Sequence, residues 1–506
     1  MAETRPRSAT GAIVAGMLVI ASASVNLASF QYVFVGMQLE FSFSTDVANA
    51  LAFMPSAASL LVVFAAGSLA DRWGPRRLLV IAVALFTLGA LVVSLAPSLT
   101  WVLAGRILDG VGGVTMAIVA LAVINSAVTE PGKRARVFGV YAAITPATFL
   151  LAPAVAALVV QSAGWRAGLM PGALLGVAAL ILVLRYVPDQ RGRATGELLT
   201  PLLAGLVLAG VALGVTSLPT SSAFSLAAGL VALVSLVALV VAMRRMAAPA
   251  LDLRWCRGRG MPLLLVATGV TAMPNLFFYT NVLLQYRYTV PLLEIALLLV
   301  VPQACAVAGG LLSGPVSARI GAPKAATAAL LASAVACLST LLVTPAAPIW
   351  VPVLALAVSV APISFVVGPL TNTFMSRAPA EASGAGSSMR KATWTLGSVF
   401  GGAIIGFVAF EAFQSRLAGI LNAVGMPREE SEIIAQEIRD GAVVDDLAAR
   451  ILEPIPREAL IARGPGLLEA QSYAFAVMGV MSAALYLVAA VVMIAYLRRT
   501  RTVGTV

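Results

Sequence analysis

The sequence predicts an all-α polytopic membrane protein of about fourteen transmembrane helices, and three observations carry that expectation. Of 506 residues, 60% are hydrophobic and 11% charged, which leaves too little polar surface to cover a water-soluble chain of this size. The apolar residues gather in runs of about 20–25, the length a helix needs to cross a bilayer. Inside a bilayer every backbone N–H and C=O must find a partner within the protein, so only helices or closed barrels span it, and runs this long select helices.

In chain order the apolar spans fall at 12–36, 45–69, 78–97, 99–124, 137–161, 167–187, 199–218, 223–243, 261–284, 291–314, 323–343, 349–374, 389–413 and 472–497. The first follows Arg5 and Arg7 in the manner of a signal peptide, but its apolar stretch is too long for an h-region. With the N-terminus placed inside, the inner segments collect twenty-four of the 33 Lys and Arg residues, among them Arg390 and Lys391, while the short outer loops hold Arg166 and Arg287 alone. That bias predicts cytoplasmic N- and C-termini in a cell (plasma) membrane, and it accounts for the net charge of +11 without nucleic acid. All six tryptophans, Trp73, Trp101, Trp165, Trp255, Trp350 and Trp394, lie at or near predicted span ends, where indole rings favour the interface. The stretch 414–469 interrupts the pattern with ten acids against six arginines, and reads as an external helical hairpin, either a solvated cap or a gating lid.

Several chemistries are unsupported. Histidine is absent, and Cys256, Cys305 and Cys337 stand at no metal-ligand or redox spacing, so no metal and no cofactor is expected. The chain lacks an acidic D-D-x-x-D cluster, an H-E-x-x-H pair and a phosphate-binding G-x-x-x-x-G-K-[ST] loop, which argues against an enzyme and against a primary ATP-driven pump.

One internal repeat organises the chain. Gly67-Ser68-Leu69-Ala70-Asp71-Arg72-Trp73-Gly74-Pro75-Arg76 returns in weakened form as Gly314-Pro315-Val316-Ser317-Ala318-Arg319-Ile320-Gly321-Ala322-Pro323, each copy directly after an apolar span. Repeated halves enclosing a central site are a transporter architecture. The expected division is a six-helix half at 1–198, an inserted helix pair at 199–245 and a second six-helix half at 246–506.

The stretch from Gly67 to Arg77 resembles the loop motif between helices 2 and 3 of the major facilitator superfamily. Gly67 permits close helix approach and Gly74 a tight turn, while Asp71 can pair with arginines or cap a helix. The resemblance implies a conformational latch formed by Gly67, Asp71, Arg72, Gly74, Arg76 and Arg77. Arg106 to Gly112, Gly164-Trp165-Arg166, Leu251-Asp252-Leu253-Arg254 and Ser383-Gly384-Ala385-Gly386-Ser387-Ser388 are similar to segments of its fourteen-helix drug:proton antiporter branch, the quaternary-ammonium efflux pump type. That branch implies a secondary active transporter, a monomer, exporting hydrophobic or amphipathic small molecules against protons by alternating access. The sequence departs from the branch at Ala21, where a first-helix acid is usual, and at Ala152-Pro153-Ala154-Val155-Ala156-Ala157, where the fifth-helix motif is reduced to its proline and small residues.

Ionisable residues deep in a membrane are costly and therefore functional suspects. Arg106 and Asp109, three apart on span 4, share one helix face. They read either as a proton-coupling pair or as a structural ion pair, in which case the chain would be a lipid or metabolite transporter that does not use protons. Glu411 and Glu294, near outer span ends, are secondary acidic candidates. For the substrate cavity the expected residues are Asn26, Phe30, Asn275, Phe278, Tyr279, Phe365 and Asn372, with Asn26 and Asn275 favoured by the pseudo-equivalence of helices 1 and 9. Membrane lipids, protons and a lipophilic or amphipathic small molecule are the expected partners.

Overall fold

Every apolar run is helical, most of them as a single helix. The computed structural model describes the chain apart from residues 1–8, 42–44, 129, 190–196, 218–221, 247–255, 257, 259, 289, 291, 379–382, 424–426, 428–456 and 502–506. The motif Leu251-Asp252-Leu253-Arg254, Trp255 and the centre of the 414–469 stretch lie outside the described residues.

A first set comprises α1 (Ala9–Phe41), α2 (Thr45–Trp73), α3 (Pro75–Ser94), α4 (Leu99–Ala127), α5 (Pro131–Ala163) and, after a 3-10 turn at Trp165–Leu169, α6 (Met170–Tyr186). A pair follows, α7 (Leu199–Ser217) and α8 (Ser222–Arg245). The second set comprises α9 (Met261–Thr271), α10 (Leu276–Tyr288), α11 (Leu292–Leu298), α12 (Val300–Ile320), α13 (Ala322–Cys337), α14 (Trp350–Met375), α15 (Ser383–Ala423) and α16 (Arg457–Arg501). Fourteen stretches are long and apolar enough to cross a membrane, and no strand occurs among the described residues.

The repeat shapes its two copies alike. Gly74 and Gly321 take φ of 89° and 88°, a conformation open to glycine, and each turn launches a helix with proline in its first turn, Pro75 in α3 and Pro323 in α13. We call the end of the bundle that carries these two turns the motif end, and its opposite the far end. At the far end Trp165 Nε1 donates to Glu40 Oε2 (2.8 Å), and Arg166 Nη2 donates to Glu40 Oε1 (2.6 Å) and to the Ala96 carbonyl (3.1 Å), stapling α1 to the α5–α6 turn and the end of α3.

Several spans depart from the expected outline. Span 9 is broken between α9 and α10, with Pro274 in the break and Asn275 Oδ1 accepting the Phe278 N–H (3.3 Å) at the start of α10. At 41 residues, α15 is about 60 Å long and continues well past the expected limit at 413. It is joined to α16 by the Arg416–Glu469 ion pair, so both flanks of the stretch expected as a hairpin are extensions of membrane helices.

Within the first set α1 packs on α4, α5 and α6, and α3 on α4 and α6. In the second set α13 packs on α14 and α16, α12 on α14, and α9 on α15 and α16. The two sets meet along two seams, α2 with α15 and α5 with α12, and α7 lies against both α2 and α15. Small residues let these backbones approach, as membrane helix packing requires.

Candidate functional site

A cavity of about 640 Å3 lies between the two sets. Its walls are helix faces read at helical spacing. From α5 come Tyr141, Ala142, Thr145, Pro146 and Phe149, and from α15 come Ser387, Arg390, Lys391, Trp394 and Thr395. Phe149 and Phe277, one from each set, meet edge to face with ring centroids 5.9 Å apart.

Asp109 and Arg106 both line this cavity from α4. Arg106 Nη1 donates to Asp109 Oδ2 at 2.7 Å, with the side chains 5% and 13% exposed. The guanidinium carbon stands 3.7 Å from the centroid of the Phe30 ring, so α1 supplies a cation–π floor beneath the arginine. Glycines bring α3 close behind the pair: a Cβ on Gly89 would lie 2.7 Å from the Asp109 nitrogen.

The other residues expected in the cavity are placed elsewhere, and none of the seven is among its lining residues. Asn26 is 1% exposed against Gly172 of α6, and neither of its amide atoms has a hydrogen-bond partner among the described residues. Asn275 caps α10, Phe278 is exposed on the outer surface, and Tyr279 is buried in an apolar cluster with Leu283 and Phe475. Phe365 lines a separate, almost wholly apolar recess between α12, α13 and α14. Asn372 accepts from Arg134 Nε (2.9 Å) at the motif end, where Arg134 also bonds Asn125. Glu411 and Glu294 are exposed and also stand outside the cavity.

The loop residues converge on one joint. Asp71 accepts from the Gly384 and Ala385 N–H groups, at 3.0 and 3.1 Å, and so caps α15 across the seam. Gly67 lies directly beneath: a Cβ there would meet the Gly384 carbonyl oxygen and Ser388 Oγ at 2.5 Å. The two stretches that the sequence offered separately, Gly67–Arg77 and Ser383–Ser388, are therefore halves of one contact. Arg76 Nη2 donates to the Leu184 carbonyl (2.6 Å), and Arg77 stands 3.9 Å from Asp189, so both brace α3 against the end of α6. Arg72 is exposed at the end of α2.

Two residues counted on the cytoplasmic side belong instead to the cavity. Arg390 and Lys391 lie two turns inside α15 and line its inner face, and Trp394 lies there too rather than at an interface. Arg390 is 6% exposed, donating from Nε to Thr371 Oγ1 and from Nη2 to the Tyr141 hydroxyl, both at 3.1 Å. Sequence reasoning could have found them from the polar stripe 387, 390, 391, 394, 395, which follows one helix face in an otherwise apolar run. Glu40 was also missed, since its partners Trp165 and Arg166 are more than a hundred residues away.

The family model described as "Major Facilitator Superfamily" matches residues 14–402. The multidrug resistance protein Stp of Mycobacterium tuberculosis (strain H37Rv) is 27% identical over 417 residues, covering 80% of this chain and 76% of that protein. The methylenomycin A resistance protein of Streptomyces coelicolor is 27% identical over 370 residues, 69% of this chain and 75% of the relative. Among solved structures, the human organic anion transporter MFSD10 (TETRAN) superposes with a TM-score of 0.60 at 13% identity, covering 96% of this chain and 99% of that one; the likeness is one of fold.

Proposed function

The chain belongs to the major facilitator superfamily and is a multi-pass membrane transporter rather than an enzyme, and from that premise we propose that it exports hydrophobic or amphipathic small molecules in exchange for protons, by alternating access. The observation that carries the reading is the buried Arg106–Asp109 pair lining the cavity between the two helical sets. A carboxylate there can hold or release a proton as the pair closes or is wetted, and a cavity between two bodies can be opened to either side in turn. The relatives named for resistance to several drugs and to methylenomycin A support small-molecule efflux.

The Lys and Arg bias supports placing the motif end, with both termini, in the cytoplasm of a plasma-membrane protein. Even without Arg390 and Lys391 the inner segments hold most of the basic residues. On that placement the Asp71 joint closes the inner side, and the cavity described above belongs to a state sealed towards the cytoplasm. The working unit is a monomer in contact with membrane lipids, since each chain contains both helical sets and the cavity between them.

The test uses inverted membrane vesicles that hold a proton gradient. Addition of an exported drug dissipates the gradient in wild type, and Asp109→Asn abolishes that response while the protein stays folded. An unaltered response in the folded variant would overturn the role of Asp109. Drug movement that persists after the gradient is collapsed would support instead a transporter without proton coupling, in which the pair holds the helices in register.

A further inference from the structure

The cavity carries an imbalance of charge. Its ionisable lining among the described residues is Arg106, Asp109, Arg390 and Lys391, three cations against one carboxylate. Asp109 is engaged by Arg106 at 2.7 Å, and neither Arg390 nor Lys391 has a carboxylate within ion-pair distance among the described residues. A buried cation without a counter-charge is costly, and the cost is relieved when a ligand supplies the missing anion.

We propose that Lys391 and Arg390 form a subsite for the anionic head group of a small amphipathic organic anion. The geometry suits that ligand in three respects. Arg390 is held in place by Thr371 and Tyr141, with the Tyr141 and Trp394 rings 5.7 and 5.9 Å from its guanidinium carbon. Those two bonds use two of its five N–H donors, and the remainder, together with the three of Lys391, are matched to carboxylate, sulfonate or phosphate oxygens. Most of the rest of the wall is apolar, with Leu27, Ile118, Phe149, Phe277 and Ile363 around the space an organic body would fill. A volume of about 640 Å3 lies within the range of pockets for drug-sized ligands. The inference rests on the reading of this cavity as the substrate site, and it narrows that reading to anions.

The test compares 2-naphthalenesulfonate with trimethyl(2-naphthyl)ammonium, which share an aromatic body and differ in the sign of the head group, by thermal stabilisation of the purified full chain in neutral detergent. The sulfonate raises the midpoint saturably and the ammonium does not. Lys391→Met weakens the sulfonate response about tenfold or more, as expected for loss of one charge-assisted contact, and Lys391→Arg retains it. Thr395→Asp, one turn along the same face, places a carboxylate beside the lysine and shifts the preference towards the ammonium, an outcome independent of whether Lys391→Met folds. Equal response to both probes, an unchanged sulfonate affinity in a folded Lys391→Met, or stabilisation by a two-chain anionic phospholipid alone would overturn the subsite. In vesicles, export of the ammonium without binding of the sulfonate would overturn the subsite and leave the export reading standing. Sulfonate binding without transport of either probe would sustain the subsite and count against export.

Discussion

The two seams that join the helical sets are built from copies of one repeat, yet they are held by different forces. Where α2 meets α15, Gly67 clears the way and Asp71 makes two hydrogen bonds to the first N–H groups of α15. Where α5 meets α12, the corresponding Gly314 packs against the Arg136 backbone, with Gly310 against Ala143, and the position matching Asp71 is Ala318. The second seam therefore rests on backbone contact, helped at its rim by the Arg134–Asn372 hydrogen bond. One seam is a directional bond that breaks at a stroke. The other is a packed surface that can slide, since dispersion contacts are many, small and weakly directional.

The largest effect is expected at the packed seam. A Cβ on Gly314 would already lie 2.9 Å from the Arg136 Cα, so Gly314→Leu should hold the motif end apart, destabilise the closed state by about 3 kcal/mol, and abolish drug efflux. A lowered thermal midpoint together with labelling of a cavity cysteine from the motif end measures this. Asp71→Ala comes next. Losing charge-assisted bonds of about 1.5–3 kcal/mol should raise exposure of the motif end by about 10- to 100-fold in the same labelling assay, with little change in the α5–α12 contact. If labelling were unchanged, the directional seam would have no part in closure. Arg134→Met should cost about 1 kcal/mol, because Asn125 and Asn372 border a recess that water can enter.

The smallest effect lies away from both seams, at Glu40. Hydrogen bonds from Arg166 and then Trp165 hold its carboxyl below the usual range. A lowered folded-state value means the staple is fully present above the ordinary glutamate pKa of about 4.3 and is lost as pH falls through the lowered value. Acid titration of the wild-type thermal midpoint should therefore show a weak loss below that point which Glu40→Gln lacks, while labelling at the motif end stays constant.

Much of the fold was legible because bilayer solvation forces one pattern on every span, and run length yields the helices. The Arg106–Asp109 spacing likewise showed in sequence, because three residues on a helix fix a shared face. The cavity wall was less accessible. Asn26 and Asn275 lie on spans that the repeat pairs, yet one is packed against Gly172 and the other sits at a helix break, since small neighbours and Pro274 decide which way each faces. Arg390 and Lys391 were assigned to the cytoplasmic side because charge was counted along the chain, whereas α15 begins at Ser383 and carries them inward.

That same helix has a mechanical consequence. The residues capped by Asp71, Gly384 and Ala385, and the cavity face from Ser387 to Thr395 belong to one uninterrupted rod with no proline within it. Such a rod needs no chain of intermediaries to connect its parts. Any ligand that grips the face differently in two conformations tilts the cap towards one of them, and by thermodynamic reciprocity the state of the cap sets the grip.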